Sequence, residues 1–211
     1  MLTLLIDDKT IQVNEGANLL DACLQNDIYI PNLCYIEGMP QPPSSCRLCF
    51  IEIEGEGDPL PACTLRVKHD LVVRTDTPRV RQLQKSALQL LLSVHDVDCK
   101  NCPANRNCAL QDMAKFLSIG LKNKHLEMFL KKARIDQNHP FLTYFPNRCV
   151  LCGRCVYVCH DRHNLTALTF ANRGINTVIG FFGSPGSMLP SCEACLACAE
   201  VCPVAALLPK T

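Results

Sequence analysis

The chain has 211 residues, with 21 Lys and Arg against 20 Asp and Glu, no tryptophan, 14 prolines and 16 cysteines. A near-neutral balance carries no electrostatic footprint for nucleic acid, and the longest apolar runs, such as ALQLLLSV over 87–94, are too short and broken to cross a bilayer. The opening MLTLLIDDKT has two acids where a secretory leader needs a basic and then an apolar region, so the thiols are expected in a reducing, cytoplasmic compartment.

Residues 1–77 read as a small α+β domain. LTLLI and TIQV are short β-rich runs around Asp7, Asp8 and Lys9, which suit a hairpin turn. A helix follows, with Asn14 as its cap, Glu15 at its positive end, and Leu19, Leu20, Cys23 and Leu24 on one face. Cys23 is then a buried small hydrophobe. A loop fixed by Pro40, Pro42 and Pro43 leads to CFIEIEG (49–55), which alternates as a strand does, and LVVRT (71–75) offers another.

Residues 78–120 read as helical. Thr77 and Pro78 form an N-cap and first helical residue, and Val80, Leu83, Ala87, Leu91 and Val94 make one stripe ending beside His95. A second helix runs from about Cys108 to Leu117, with Leu110, Met113, Ala114 and Leu117 inward and Gly120 near its stop. The stretch 121–139, with Lys122, Lys124, Lys131, Lys132 and Arg134, reads as a linker or solvated helix face, with a docking surface as the alternative.

Residues 140–211 form a half-repeat, since Cys149–Cys159 and Cys192–Cys202 share the spacing C-x2-C-x2-C-x3-C, with NTVIGF between them as a strand. Gly180, Gly183 and Gly186 lack the Lys-Ser/Thr of a phosphate loop and make no GxGxxG, so they read as a turn.

Cysteine spacing carries the chemistry. Three close thiolates and a fourth suit a cubane better than a tetrahedral zinc, whose sites usually separate two CxxC pairs. In the two-cluster arrangement the fourth cysteine of each run ligates the other cluster. One set is therefore Cys149, Cys152, Cys155 and Cys202, and the other is Cys159, Cys192, Cys195 and Cys198. Cys34, Cys46, Cys49 and Cys63 keep the close pair and distant fourth ligand of a four-cysteine [2Fe-2S] site. Cys99, Cys102 and Cys108 supply only three thiolates, and His95 is the nearest residue able to complete a [4Fe-4S] set. Its alternative role is a cation at a helix C-terminus. His69, His125, His139, His160 and His163 have no such company, and only Cys23 is spare. No nucleotide fingerprint, flavin site or nickel-binding pattern is visible.

This order of motifs resembles the small diaphorase (gamma) subunit of cytoplasmic NAD-reducing nickel–iron hydrogenases. It is also similar to the N-terminal iron–sulfur region of the complex I large iron–sulfur subunit, of some iron-only hydrogenases and of some NAD-linked formate dehydrogenases. The resemblance implies a β-grasp [2Fe-2S] ferredoxin module over 1–77 and a small [4Fe-4S] module with one His and three Cys ligands over 78–120. It implies a linker or helix over 121–139 and a two-[4Fe-4S] ferredoxin-like module over 140–211. With Thr211 as the last residue, no molybdopterin-type or hydrogen-forming cluster domain is expected, and both complete four-cysteine runs resemble the hydrogenase subunit more than complex I. The second run departs from ferredoxins of this type, with Ala194, Leu196 and Ala205 where glycine is common, and His160 stands where a proline often follows the first run.

The implied function is an electron relay with one [2Fe-2S] and three [4Fe-4S] clusters. Its implied partners are an FMN- and NAD(H)-binding diaphorase subunit and the small and large nickel–iron hydrogenase subunits. Alternatives are a relay in a complex I-like or NAD-linked formate dehydrogenase assembly, a free polyferredoxin, and a structural zinc protein.

Overall fold

The computed structural model describes the chain except residues 123–125, 164–165, 183–191, 193–194 and 211, and the side chain of His163. Its backbone forms two compact units, Met1–Gln89 with Leu117–Ile119, and Leu90–Phe116 with Gly120–Thr211.

In the first unit β1 (Leu2–Ile6) and β2 (Lys9–Val13) form the expected hairpin, closed by Asp7 and Asp8, while Lys9 already pairs with Ile6. Asp7 sits in the left-handed region, and its carboxylate accepts from the Thr75 amide at 2.9 Å and hydroxyl at 2.7 Å. With β3 (Phe50–Ile53), the two-residue β4 (Leu60–Pro61) and β5 (Leu71–Arg74) these make a five-stranded sheet in the order β2-β1-β5-β3-β4. Only the β1–β5 pair is parallel. Leu4, Ile6, Ile51 and Val73 are buried with Leu19, Leu20 and Cys23 of helix α1 (Leu19–Gln25).

Asn14 does not cap α1. Asn18 does, accepting from the Leu20 and Asp21 amides at 2.9 and 3.1 Å, and its Nδ2 donates to the Cys63 carbonyl at 2.6 Å. The Asn14 carbonyl instead closes a turn with Ala17, and the acid of the first helical turn is Asp21, not Glu15.

Helix α2 (Pro78–Ser93) starts where the sequence signals it, with Thr77 Oγ1 accepting from the Val80 amide at 3.2 Å. Its buried stripe is rotated from the expected one. Val80, Gln84, Ala87, Leu88 and Leu92 are buried, whereas Leu83, Leu91 and Val94 are half-buried. Gln84 belongs inside because its Nε2 donates to the Phe50 carbonyl at 3.2 Å. Helix α3 (Ala109–Phe116) buries Leu110, Met113 and Ala114, and Leu117 just beyond it is buried too.

The described part of 121–139 contains no helix. Lys131 is not on a solvated face but only 8% exposed, its amide and carbonyl held by the Asn147 side chain at 2.7 and 3.1 Å.

The C-terminal half-repeat has a reciprocal topology. Strand β6 (Leu142–Tyr144), the first cysteine run, α4 (Arg154–His163) and β7 (Leu168–Ala171) make one half. Strand β8 (Val178–Phe181), the second run, the short α5 (Ala197–Glu200) and β9 (Leu207–Pro209) make the other. The first strand of each half pairs with the last strand of the other, β6 with β9 and β7 with β8, both antiparallel. Gly180 lies within β8, while Gly183 and Gly186 fall outside the described residues.

Candidate metal centres

In the first unit Cys34, Cys46, Cys49 and Cys63 are all buried. Cys49 directly precedes β3, and Cys63 lies in a 3₁₀ turn (Ala62–Thr64) tied back by the Ala62 amide to the Cys49 carbonyl at 2.8 Å. Cys34 Sγ and Cys46 Sγ stand 3.4 Å apart. The S–H···S bond they share pulls Cys34 below the ordinary thiol value and pushes Cys46 above it, and Cys63 and Cys49 are related in the same way. Ser44 and Arg47 adopt positive φ, a turn that lets main-chain amides of Ser45 and Leu48 reach sulfurs. The Ser44 hydroxyl is buried with no oxygen or nitrogen partner and acts on Cys63.

The second unit gathers the remaining expected donors around three cavities. One is lined by His95, Cys99, Cys102 and Cys108. Another is lined by Cys149, Cys152, Cys155 and Cys202, and a third by Cys159, Cys192, Cys195 and Cys198. Counted as all space between atoms including their open mouths, they are alike in size, ≈ 280, 330 and 360 Å³. Val204 lines both the first and the second, and Cys155 and Cys198 interact between the second and the third. The Cys149 cavity therefore adjoins both of the others.

The reciprocal topology explains the exchange of fourth cysteines. Cys202 follows α5 and Cys159 lies within α4, so each is carried by its own half into the cavity of the other. Around the sulfurs the backbone turns inward. The Leu151 amide donates to Cys149 Sγ at 3.4 Å and the Ala206 amide to Cys202 Sγ at 3.2 Å. Leu151, Gly153, Leu196 and Ala205 all have positive φ. Gly153 and Leu196 occupy the same place in the two runs, so the departure noted at Leu196 puts a branched side chain where the backbone is left-handed. Ala194 lies outside the described residues.

His95 is 8% exposed, just beyond the end of α2 by way of Val94, and its Nδ1 lies 2.9 Å from the Arg148 carbonyl. A carbonyl only accepts, so Nδ1 carries the proton and Nε2 keeps its lone pair. Burial lowers the His95 pKa, which favours the neutral ring and counts against a helix-terminal cation. Asp96 is fixed by its amide to the Asn147 carbonyl at 2.7 Å, and main-chain amides of Leu110 and Gln111 at the start of α3 reach Cys108.

Burial raises the thiols of the second unit, Cys152 and Cys198 each to about 12, and Cys108, Cys149, Cys155 and Cys192 in the same direction. Packed, mutually repelling thiolates need a positive centre, and a bound metal removes their protons. Among the described residues no three His, Cys, Asp or Glu side chains form a group that would hold a single metal ion; the donors ring cavities instead. Sulfur donors with inward amides fit iron–sulfur clusters.

Two residues of the Cys149 site carried no sequence signal. Tyr144, 1% exposed, lines the Cys149 cavity, and Lys131 acts electrostatically on Cys149. Cys23 is fully buried in α1, and His139, expected to be ordinary, lines the third cavity.

Three families match successive parts of the chain: a 2Fe-2S iron-sulfur cluster binding domain over residues 1–78, the NADH-ubiquinone oxidoreductase-G iron-sulfur binding region over 84–120, and the ferredoxin-like domain of NADH-quinone oxidoreductase subunit 3 over 139–208. A chain in the crystal structure of an NAD+-reducing [NiFe]-hydrogenase in the H2-reduced state matches with a TM-score of 0.86 and 30% identity, covering 100% of this chain and 88% of that one. The chain belongs to the iron–sulfur subunit family of NAD-reducing [NiFe] hydrogenases and NADH-quinone oxidoreductase. Other relatives of this iron–sulfur family include a NADH-quinone oxidoreductase subunit of Rhizobium meliloti, 36% identical over 99% of this chain and 24% of its own. The NADP-reducing hydrogenase subunit HndD of Solidesulfovibrio fructosivorans is 32% identical over 99% of this chain and 36% of its own. The chain thus spans about a quarter to a third of the curated relatives it matches. Among the described residues no helix is long and apolar enough to cross a membrane.

Proposed function

We propose that this chain is an electron-relay subunit of a cytoplasmic hydrogen:NAD+ oxidoreductase. It passes electrons between an FMN- and NAD(H)-binding diaphorase partner and the small and large [NiFe] hydrogenase subunits. The grouping of twelve donors in three cavities, the Cys149 cavity adjoining both others, carries this reading. Such adjacency suits stepwise transfer. Likeness to the NAD+-reducing hydrogenase over the whole chain and retention of both four-cysteine runs support those end partners.

In this reading residues 1–77 form a β-grasp domain that binds [2Fe-2S] through Cys34, Cys46, Cys49 and Cys63. Residues 78–120 hold [4Fe-4S] through His95, Cys99, Cys102 and Cys108. After the 121–139 linker, the ferredoxin-like domain 140–211 holds one [4Fe-4S] through Cys149, Cys152, Cys155 and Cys202, and another through Cys159, Cys192, Cys195 and Cys198. A sheet with a single parallel pair over one helix and the reciprocal strand pairing support these domain assignments.

Iron–sulfur clusters supply single-electron exchange with little rearrangement. The rest falls to the chain. His95 offers Nε2 while Nδ1–H holds the ring on the Arg148 carbonyl. Main-chain amides stabilise thiolate charge, and Val204, Ala206 and Leu207 give the Cys149 site an apolar lining.

The test is anaerobic purification of the tagged chain from its native host. Hydrogen-dependent NAD reduction, with flavin and hydrogenase subunits co-purifying, is the expected result. The 36% identity to a NADH-quinone oxidoreductase subunit favours a second reading, a relay with other end chemistry. Quinone-reductase subunits in that preparation establish it instead.

A further inference from the structure

The two four-cysteine sites of the half-repeat match in spacing and topology, yet their electrostatic surroundings differ. Tyr144 ends β6 and is buried against Phe181, ring centroids 6.4 Å apart. Its hydroxyl oxygen accepts from the Ile179 amide at 3.1 Å. Because that partner is a donor, the hydroxyl proton is left for another acceptor, and Tyr144 lines the same cavity as Cys149.

Lys131 acts electrostatically on the same cysteine, and although burial lowers its own pKa, Cys149 opposes that shift. The Lys131 backbone is clamped by Asn147, and its Nζ lies 3.4 Å from the Pro146 carbonyl. That carbonyl also accepts from the Cys149 amide at 3.3 Å. The ammonium and the Cys149 main chain thus share one oxygen. Arg154, whose Nε is buried and unpartnered, adds a second cation beside Cys152.

At the other site, among the described residues, neither a hydroxyl nor a cation is so placed. His139 lines it, but its Nδ1 accepts from the Phe141 amide at 3.2 Å, and burial lowers its pKa, favouring the neutral ring. The nearby basic residues are engaged elsewhere. Lys210 donates to the Gln137 carbonyl at 2.6 Å, and the half-exposed Arg162 faces Glu200 at 3.9 Å.

Reduction adds one negative charge to a cluster. A buried cation and a hydrogen bond to a ligand sulfur stabilise that charge and raise the potential, and a dry, low-dielectric setting strengthens both effects. We propose that Lys131 and Tyr144 hold the cluster of Cys149, Cys152, Cys155 and Cys202 at a higher potential than that of Cys159, Cys192, Cys195 and Cys198. Of the two half-repeat sites, that of Cys149 is thereby the electron acceptor. Transfer into it moves one electron from a reduced neighbour, which is oxidised as the Cys149 cluster is reduced; no bond forms or breaks, and Tyr144 keeps its proton. This rests on the cluster reading above.

The test is an EPR-monitored redox titration of the full chain, purified anaerobically with its clusters, for wild type, Lys131→Met, Lys131→Arg and Tyr144→Phe. Cys202→Ser and Cys159→Ser mark which signal belongs to which site. The expected result has the Cys202-marked signal at the higher potential in wild type. Lys131→Met and Tyr144→Phe each move that signal alone downward, and Lys131→Arg restores most of the wild-type value. Equal potentials in wild type, no downward movement in loaded variants, or equal movement of both signals overturns the proposal. Tyr144→Phe keeps the test open if Lys131→Met does not fold. A wild-type chain with no cluster signals and little iron instead overturns the cluster reading itself.

Discussion

His95 Nδ1 lies 2.9 Å from the carbonyl oxygen of Arg148, the residue immediately before Cys149. One hydrogen bond thus joins a donor of the first cavity to the main chain carrying a donor of the second. The same contact fixes the imidazole tautomer and joins the two sites without passing along the chain between them.

His95→Cys replaces a neutral ligand with a thiolate and adds negative charge to its site. A redox titration is expected to show that cluster at lower potential than in wild type, with the others unmoved. An unchanged or higher value contradicts ligation by His95.

Asn18 links the cap of α1 to the carbonyl of Cys63. Asn18→Ala is expected to lower the stability of the cluster-loaded chain by ~2 kcal/mol, from a lost cap and a buried carbonyl left without its partner. Denaturant unfolding measures this, and a change within experimental error contradicts it. Asn14→Ala, at the position the sequence favours, is expected to cost far less.

That contrast shows what was legible in the chain. Local spacing marks the close cysteine pairs, because a C-x2-C turn is a local fact, and Thr77-Pro78 marks the start of α2 for the same reason. Asn14 and Asn18 are equally good caps in isolation; only Cys63, 45 positions further on, distinguishes them. Gln84 reads as a surface residue until the Phe50 carbonyl stands beside it. Lys131 looked solvated among its basic neighbours because nothing local announces the Asn147 clamp. Tyr144 gives no signal, since the amide that donates to it lies on another strand and the cavity it lines is built by the first cysteine run.

Leu196 and Gly153 hold equivalent left-handed positions in the two runs, with φ of 46° and 79°. Leu196→Gly is expected to stabilise the loaded chain by about 1 kcal/mol by relieving strain that glycine does not feel. Gly153→Ala is expected to destabilise it, because an alanine is strained at that φ. Parallel unfolding curves with the opposite order contradict the equivalence.

Burial, reinforced by the Asp7 carboxylate, pushes the Cys23 thiol up to about 12. The folded state therefore keeps its proton after the unfolded chain has lost it. The Cys23 contribution to stability is intact below pH ~8.5 and falls above it by up to ~1.4 kcal/mol per pH unit. Compared with Cys23→Ala, wild type is expected to lose stability more steeply over that alkaline range. Equal slopes contradict a buried, non-ligating thiol.

The most direct test of four clusters on sixteen ligands is quantitation of iron, acid-labile sulfide and zinc in the anaerobically purified chain, with Mössbauer spectra to type the iron. A brown protein with about 14 irons and as many sulfides is expected, divided between one [2Fe-2S] and three [4Fe-4S] clusters. A colourless protein holding zinc, or iron in a different division between cluster types, contradicts it.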